Sequence, residues 1–472
     1  MRGLTAEVNL ALAQMSGHVP ISLYKEIIMT QGYYAGISGL QSNQVGLDVI
    51  SNNLSNISTT AYKGSTAEFA DLFSKVVSGG NTPTSNDIGY GARLQATTIQ
   101  FTQGSMLASD RFNDLALEGD GWFGVTSNKQ TSFTRDGTFA FDTYQKVSGD
   151  INSSTDRLVT GDGQYVNGTM LANFTYDAAF DYGDTVSNGV SGAYTISNPT
   201  MDVPLTGVDK QGVLEFPTRL TYPVVPTTVS QFFGNLGTAN EDRTISSDVI
   251  SGNNDTNRLK LTFNKSTTQP TEGISWDIAA TVTSADGSIV YDTQNGQALF
   301  GTTGGLVSST LPSVDNDGSA VSIDLGSNYS GVISIDSLGL SGSSISNGIS
   351  GGTLTKYGIN ADGVIIADFS NGRQSAIGRV AVYHFQNEQG LNSEGGTYYS
   401  QSSNSGKPLF WTDTAGTAIT GARVKSNYLE GSNVDISAGL TDMIVMQRAY
   451  QANSKTITTV DEMIQKALQM HR

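Results

Sequence analysis

Apolar residues return every seven positions at both ends of this chain, while the long middle alternates in twos, and that contrast limits the folds open to it. Near the N-terminus Leu40, Leu47 and Leu54 lie on one line and Ile50 and Ile57 on another, with Gly36 and Asn43 at the weaker early sites. These are a and d positions of a heptad. They predict a helix over residues 36–57, about 30 Å long, broken by the Ser, Thr and Asn run up to Gly64. At the other end Asp435 is a good N-cap and predicts a helix from Ile436 almost to Arg472, roughly 50 Å long. Met443, Tyr450, Ile457 and Ile464 form its apolar line; Leu440 and Leu468 stand on the companion line with Gln447, Ser454 and Asp461. The seam is therefore half apolar. Each helix alone is compatible with packing on its own domain, but two at opposite ends of a β-rich chain look like a coiled-coil pair.

Between the ends, short strands and turns dominate. Leu259, Leu261 and Phe263 alternate with polar residues, as do Ile274, Trp276 and Ile278, predicting half-buried strands. Strand patterns also cover 364–369 and 380–385. Asp-Gly pairs at Asp120, Asp136, Asp162, Asp286, Asp317 and Asp362 supply the positive φ angles of tight hairpins. The stretch from about Asn173 to Ser350 is rich in Gly, Ser, Thr and Asn, and its closing run at 339–352 reads as a linker or a Gly-rich loop.

With 472 residues the chain exceeds one usual core, so two or three domains are expected. Charged residues make up only 15%, against about 25% in typical soluble domains. The net charge of -17 disfavours nucleic acid, whose affinity comes largely from phosphate neutralisation. Cysteine is absent, which removes disulfides, zinc-thiolate sites and thiol nucleophiles together. No run of 18 apolar residues exists to insert in a membrane. Residues 1–28 do not read as a signal peptide, because Glu7 and Asn9 interrupt the apolar run and no small-residue cleavage pattern follows.

Chemical candidates are few. Residues 313–318 with Asp324 at the twelfth position resemble part of a calcium loop, but the twelfth residue is not Glu and the flanks read as strands. A hairpin turn is the better account. The run 339–342 lacks the Lys-Ser/Thr ending of a phosphate loop. His18, His384 and His471 lie far apart and form no ligand spacing. No metal, cofactor or catalytic constellation is predicted, and an enzyme reading rests on nothing positive.

Both termini carry longer, ordered motifs. Ala35-Gly36-Ile37-Ser38-Gly39-Leu40, then Leu47 to Asn56 with Asn52, Asn53 and Asn56, then Ala61-Tyr62-Lys63-Gly64, closely resemble the opening of flagellar rod and hook proteins. The closing stretch, from Leu429 through Asn433 and Val434 to Gln447, Arg448, Tyr450 and Gln451, looks like their C-terminal signature. Within that family the hook members fit best: Glu68 to Phe73 is similar to their segment after the first helix, and 114–123 and 134–137 match the family's inner β domain. Residues 371–372 and 378–391 resemble the return into that domain. The family pattern begins at Met29, so the resemblance places the mature start at or near that residue, with a genuine extension as the alternative.

The resemblance implies a mixed, mainly β fold in which terminal helices form a coiled-coil-like inner domain and β-rich outer domains are nested within it. The expected division is an extension at 1–28, a helical core at 29–64 with 433–472, an extended connector at 65–93, an inner β domain at 94–170 with 355–432, and an inserted outer β domain at 171–354. The implied role is a subunit of the bacterial flagellar hook, exported by the type III apparatus without a cleaved signal and assembled outside the cell into a flexible tube that carries torque. Its implied partners are further copies of itself, the distal rod protein, the hook cap and the hook–filament junction proteins. A weak terminal seam suits that role, since such helices stay disordered until a partner buries their stripe. A rigid distal-rod subunit is the alternative, and a surface β-rich binding protein a remote one.

Overall fold

The computed structural model describes residues 21–72, 75–76, 87–127, 130–146, 153–171, 173–177, 192–337, 342–419 and 421–470. It is mainly β, with one long helix near each end: α1, Ile21–Ser55, and α2, Ile436–Met470. Asp435 caps α2 as its sequence requires, its Oδ1 accepting from Ser437 N at 2.7 Å and Ala438 N at 3.2 Å. The first helix differs from expectation at both ends. Its backbone begins at Ile21, upstream of Met29, and it stops at Ser55, leaving Ile57 in the following turn. Asn56 ends it by turning its side chain back to Asn52 O at 2.9 Å, a local bond that competes with the helical ladder. Residues 1–20 of the expected extension lie outside the described residues.

The segment expected to be a connector is a hairpin. Ser65–Asp71 pairs antiparallel with Ala92–Ile99 and lies along α1, where Ser42 Oγ donates to Ala92 O at 2.9 Å. Gly91, at φ +101, rests so close to the helix that a Cβ there would stand 1.9 Å from Ser38 Oγ. The connector implied by the resemblance thus holds this docking glycine, flanked by the paired strands.

A large sheet follows, built from two stretches of chain. Tyr165–Met170 joins Trp122–Ser127 on one side to Gln374–Val380 on the other, and Val382 pairs with Phe123. Its main core includes Leu115, Phe123, Phe139, Val166, Ile365, Ile377 and Val424, and a second cluster gathers Trp122, Phe133, Tyr383 and Tyr399. The expected strand at 380–385 divides into Gln374–Val380 and Val382–Tyr383.

The inserted unit is shorter than expected. Phe174–Asp177, Ala193–Ile196 and Leu220–Tyr222 remain in the large sheet, where Leu220–Tyr222 pairs with Gly352–Ile359, and Ile196, Leu214, Phe216 and Leu220 share its core. The boundary near 171 is thereby corrected to about 224. The polar composition there belongs to half-buried strands at one end of the sheet, where Thr and Tyr replace aliphatic residues.

From Val229 to Ser346 the chain forms two five-stranded sheets around a separate core of Phe232, Leu259, Leu261, Phe263, Trp276 and Phe300. The alternation read at 259–263 and 274–278 is realised, in strands Thr256–Lys265 and Ile274–Thr283. The Gly/Ser run, outside the described residues at 338–341, is not simply a loop, because Ser343–Ser346 pairs with Val229–Asn235. Two crossings join this unit to the large sheet. They meet in a single bridge, with Val225 N donating to Ile349 O at 2.9 Å and Ile349 N to Val225 O at 2.8 Å.

Four of the six Asp-Gly pairs close hairpins, those at 162, 286, 317 and 362. Asp317 and Gly318 take φ of +50 and +83, the two-residue turn for which this pair is suited. Residues 313–318 thus belong to a hairpin, as preferred over a calcium loop. Asp120-Gly121 and Asp136-Gly137 join strands that do not pair with each other.

Candidate assembly site

The helices α1 and α2 run antiparallel and touch through glycine. Cβ atoms built on Gly32, Gly36, Gly39 and Gly46 would approach Val460, Ile457, Asn453 and Met446 in turn, at 3.8, 2.9, 2.6 and 3.3 Å. Bare Cα positions let two backbones come close enough for their side chains to interdigitate. Gly36, expected to weaken the stripe, instead seats Ile457. At Gly46 the hairpin joins the contact, since Phe69 Cζ stands 3.4 Å from the same point.

Along α2 the less exposed positions are Gly439, Met443, Met446, Ala449, Tyr450, Asn453, Ser454, Ile457, Val460, Ile464 and Ala467. Met443, Tyr450, Ile457 and Ile464, the line the heptad predicts, are among these less exposed positions. The companion line differs from expectation: Met446, Asn453 and Val460, three residues on, meet the glycines of α1, whereas Gln447 and Asp461 are exposed and only Ser454 of the expected positions is half-buried. Leu440 and Leu468 are 45% and 67% exposed and lie off this seam. Ile436, Ile444 and Val445, at 51 to 59% exposed, extend the apolar surface that a single subunit leaves in water. On α1, Leu40, Leu47 and Leu54 are half-buried, while Ile50 lines a cavity of about 380 Å³ with Asn53, Gly64, Asn433 and Met446.

Below the helices, the motif residues form a clasp between four pieces of chain. Asn53 serves Ser65 as a strand neighbour would, donating from Nδ2 to its O at 2.7 Å and accepting from its N at 2.9 Å. Asn433 repeats the device: its Oδ1 accepts from Gly64 N at 2.8 Å and its Nδ2 donates to Gln100 O at 2.7 Å. Tyr62 hydroxyl donates to Asn53 Oδ1 at 3.3 Å, and Val434 packs over Gly64, where a Cβ would meet it at 3.1 Å. Ala61, at φ +57, donates from its N to Glu430 O at 2.7 Å.

At the centre Lys63 Nζ donates to Glu430 Oε1 at 2.7 Å and to Thr102 O at 2.8 Å. Both ionic side chains are essentially inaccessible, at 1% and 0%. Gly104 N donates to the same Oε1 at 2.9 Å, and Arg135 Nη1 stands 3.6 Å from Oε2. Burial pulls the Lys63 ammonium below its ordinary range, opposed by the Glu430 charge. Arg135 is held by Gly119 O at 2.9 Å and lies over Trp122, which packs edge-on against Phe101 and Tyr399.

The sequence motif thus holds two kinds of residue. Asn52, Asn53, Asn56, Tyr62, Lys63, Gly64, Asn433 and Val434 gather at or beside the clasp. Gln447, Arg448 and Gln451 lie exposed on α2, where Arg448 Nη1 donates to Gln451 Oε1 at 3.4 Å. Glu430 and Arg135 were not picked out as site residues. Glu430 is a lone charge between Leu429 and Gly431, Arg135 stands beside Asp136 in a turn sequence, and only the burial of Lys63 identifies them as its partners. His384 stacks on Trp411 at 4.2 Å, while His18 and His471 lie outside the described residues. Among the described residues no group of acids and histidines stands together as a metal site, and no helix is long and apolar enough to cross a membrane.

Residues 34–63 match the family model for flagella basal body rod protein, and residues 425–470 match that for flagellar basal body rod FlgEFG protein C-terminal. The first segment ends on Lys63 and the second includes Glu430, Asn433 and α2. The flagellar hook protein FlgE of Borreliella burgdorferi is 27% identical over 464 residues, covering 94% of this chain and all of that one. At both ends and along its length the chain is similar to flagellar rod and hook proteins. The flagellar hook protein FlgE of Escherichia coli is 26% identical over 439 residues, covering 91% of this chain and 97% of its own. That of Helicobacter pylori is 40% identical over 144 residues, 30% of this chain and 19% of that one. The solved Helicobacter pylori flagellar hook protein FlgE2 superposes with a TM-score of 0.44 at 16% identity, covering 69% of this chain and 100% of that chain.

Proposed function

We propose that this chain is the structural subunit of a flagellar hook, self-assembling into a flexible helical tube that passes torque from rod to filament. The observation that carries the reading is its end-to-end correspondence with hook proteins, at 91 to 94% of this chain and 97 to 100% of theirs. In this reading α1 and α2 form a coiled-coil-like inner wall, with the large sheet and the inserted sandwich as nested outer layers. The exposed apolar face of α2 is what a neighbouring copy covers, because apolar surface left in water favours association.

The distal rod protein, the hook cap and the hook–filament junction proteins are its neighbours in this reading, and the flagellar export apparatus delivers it unprocessed to the cell exterior. The role is mechanical and calls on no catalytic group. Electron microscopy of polymers from the purified chain tests it: curved tubes are expected, straight tubes would transfer the reading to a distal-rod subunit, and absence of any polymer would overturn it.

A further inference from the structure

We infer that the buried Lys63–Glu430–Arg135 cluster is a positioning device that fixes the angle at which the helical pair leaves the large sheet, and so sets the curvature of the polymer. The inference rests on the self-assembly proposed above and goes beyond it in assigning residues.

Its place in the chain is the first ground. Lys63 follows α1, Glu430 precedes α2, Thr102 and Gly104 follow the hairpin, and Arg135 directly follows the strand Gln130–Thr134 of the large sheet. One carboxylate therefore touches every covalent route between helices and sheet. The second ground is energetic. Burying an ion cluster costs desolvation that its own attraction barely repays, and apolar groups of similar volume often stabilise a fold as well or better. What a charge cluster adds is direction: Lys63, held at 2.7 Å to one oxygen and 2.8 Å to a carbonyl, has one place to sit. An apolar contact would tolerate a range of angles. The third ground is strain: Ala61 stays at φ +57 beside the cluster, a conformation that surrounding contacts must impose on an L-residue.

The test compares tubes from the full-length wild-type chain with those from the triple variant Lys63→Met, Arg135→Met, Glu430→Leu, and from Glu430→Asp, which keeps the charge but withdraws it by one methylene. Failure of the wild type to form tubes would count against the assembly reading, not this one. Given wild-type tubes, both variants are expected to melt within about 5 °C of the wild type yet give tubes of altered or non-uniform curvature. Folded variants with wild-type curvature would overturn the inference. If the triple variant does not fold, Glu430→Asp decides, and a large fall in its melting temperature with unchanged curvature would reduce the cluster to a stability element.

Discussion

Ile457 closes directly over the bare Cα of Gly36, so that a Cβ added there would stand 2.9 Å from Ile457 Cγ1. A leucine at that position has nowhere to go without parting the helices, and overpacking of this kind costs about 1–3 kcal/mol. Gly36→Leu is expected to abolish polymerisation while the β units melt as in the wild type. Sedimentation velocity and a thermal melt on the same sample check both halves.

Ile457→Asp attacks the same contact from the other helix. It places a carboxylate in the seam, at a cost of several kcal/mol where the charge is desolvated. The product is expected to be a soluble, folded monomer, and cells relying on it to lack hooks. Wild-type polymers from this variant would show that α2 does not assemble through its inward face.

The inserted sandwich has its own core and leaves through the Val225–Ile349 bridge. Removing residues 228–346 and joining the ends with a short turn keeps that bridge and the whole core of the large sheet. The shortened chain is expected to fold and to give tubes that are straight or mechanically altered. Loss of all polymer from a folded product would assign the sandwich to assembly itself.

Alkaline pH should loosen the clasp's aromatic floor. Burial raises the Tyr399 phenol from 10.0 to about 12. The folded value lies above the unfolded one, so the stabilisation it reports is fully present below pH 10 and is lost as pH climbs from about 10 to 12. Tyr398, also raised to about 12 by burial, acts in the same window. Tyr399→Phe is expected to flatten part of that loss, by about 1 kcal/mol at pH 11. Urea midpoints at pH 8 and pH 11 measure it; equal pH dependence in the two proteins would refute the assignment.

Both helices, the cap at Asp435 and the main sandwich strands were legible because each depends on periodicity or on neighbours in sequence. The line through Met443 and Ile457 was legible for the same reason. Its companion was not. Residues three and four positions on are both near neighbours on a helix, and with Asn453 competing against Ser454, only the position of α1 decides between them. Gly36 reads as a weak site because a missing side chain says nothing about what fills its place. The sheet boundary was misplaced by some fifty residues because composition reports exposure, and strands at the end of a sheet are as polar as a linker. Glu430 was silent for a different reason: its partner lies 367 positions away in the chain.

The antiparallel seam joins residues almost a whole chain apart. Contacts between segments so distant form slowly, because the intervening loop must close before they are rewarded. The β units, with their mostly nearer pairings, can settle first and bring the two ends within reach. Whichever end is made or delivered first therefore waits without a mate until the other arrives. Completion of the helical pair reports that both α1 and α2 are present, and a chain cut short anywhere before α2 would carry an α1 that never meets its partner helix.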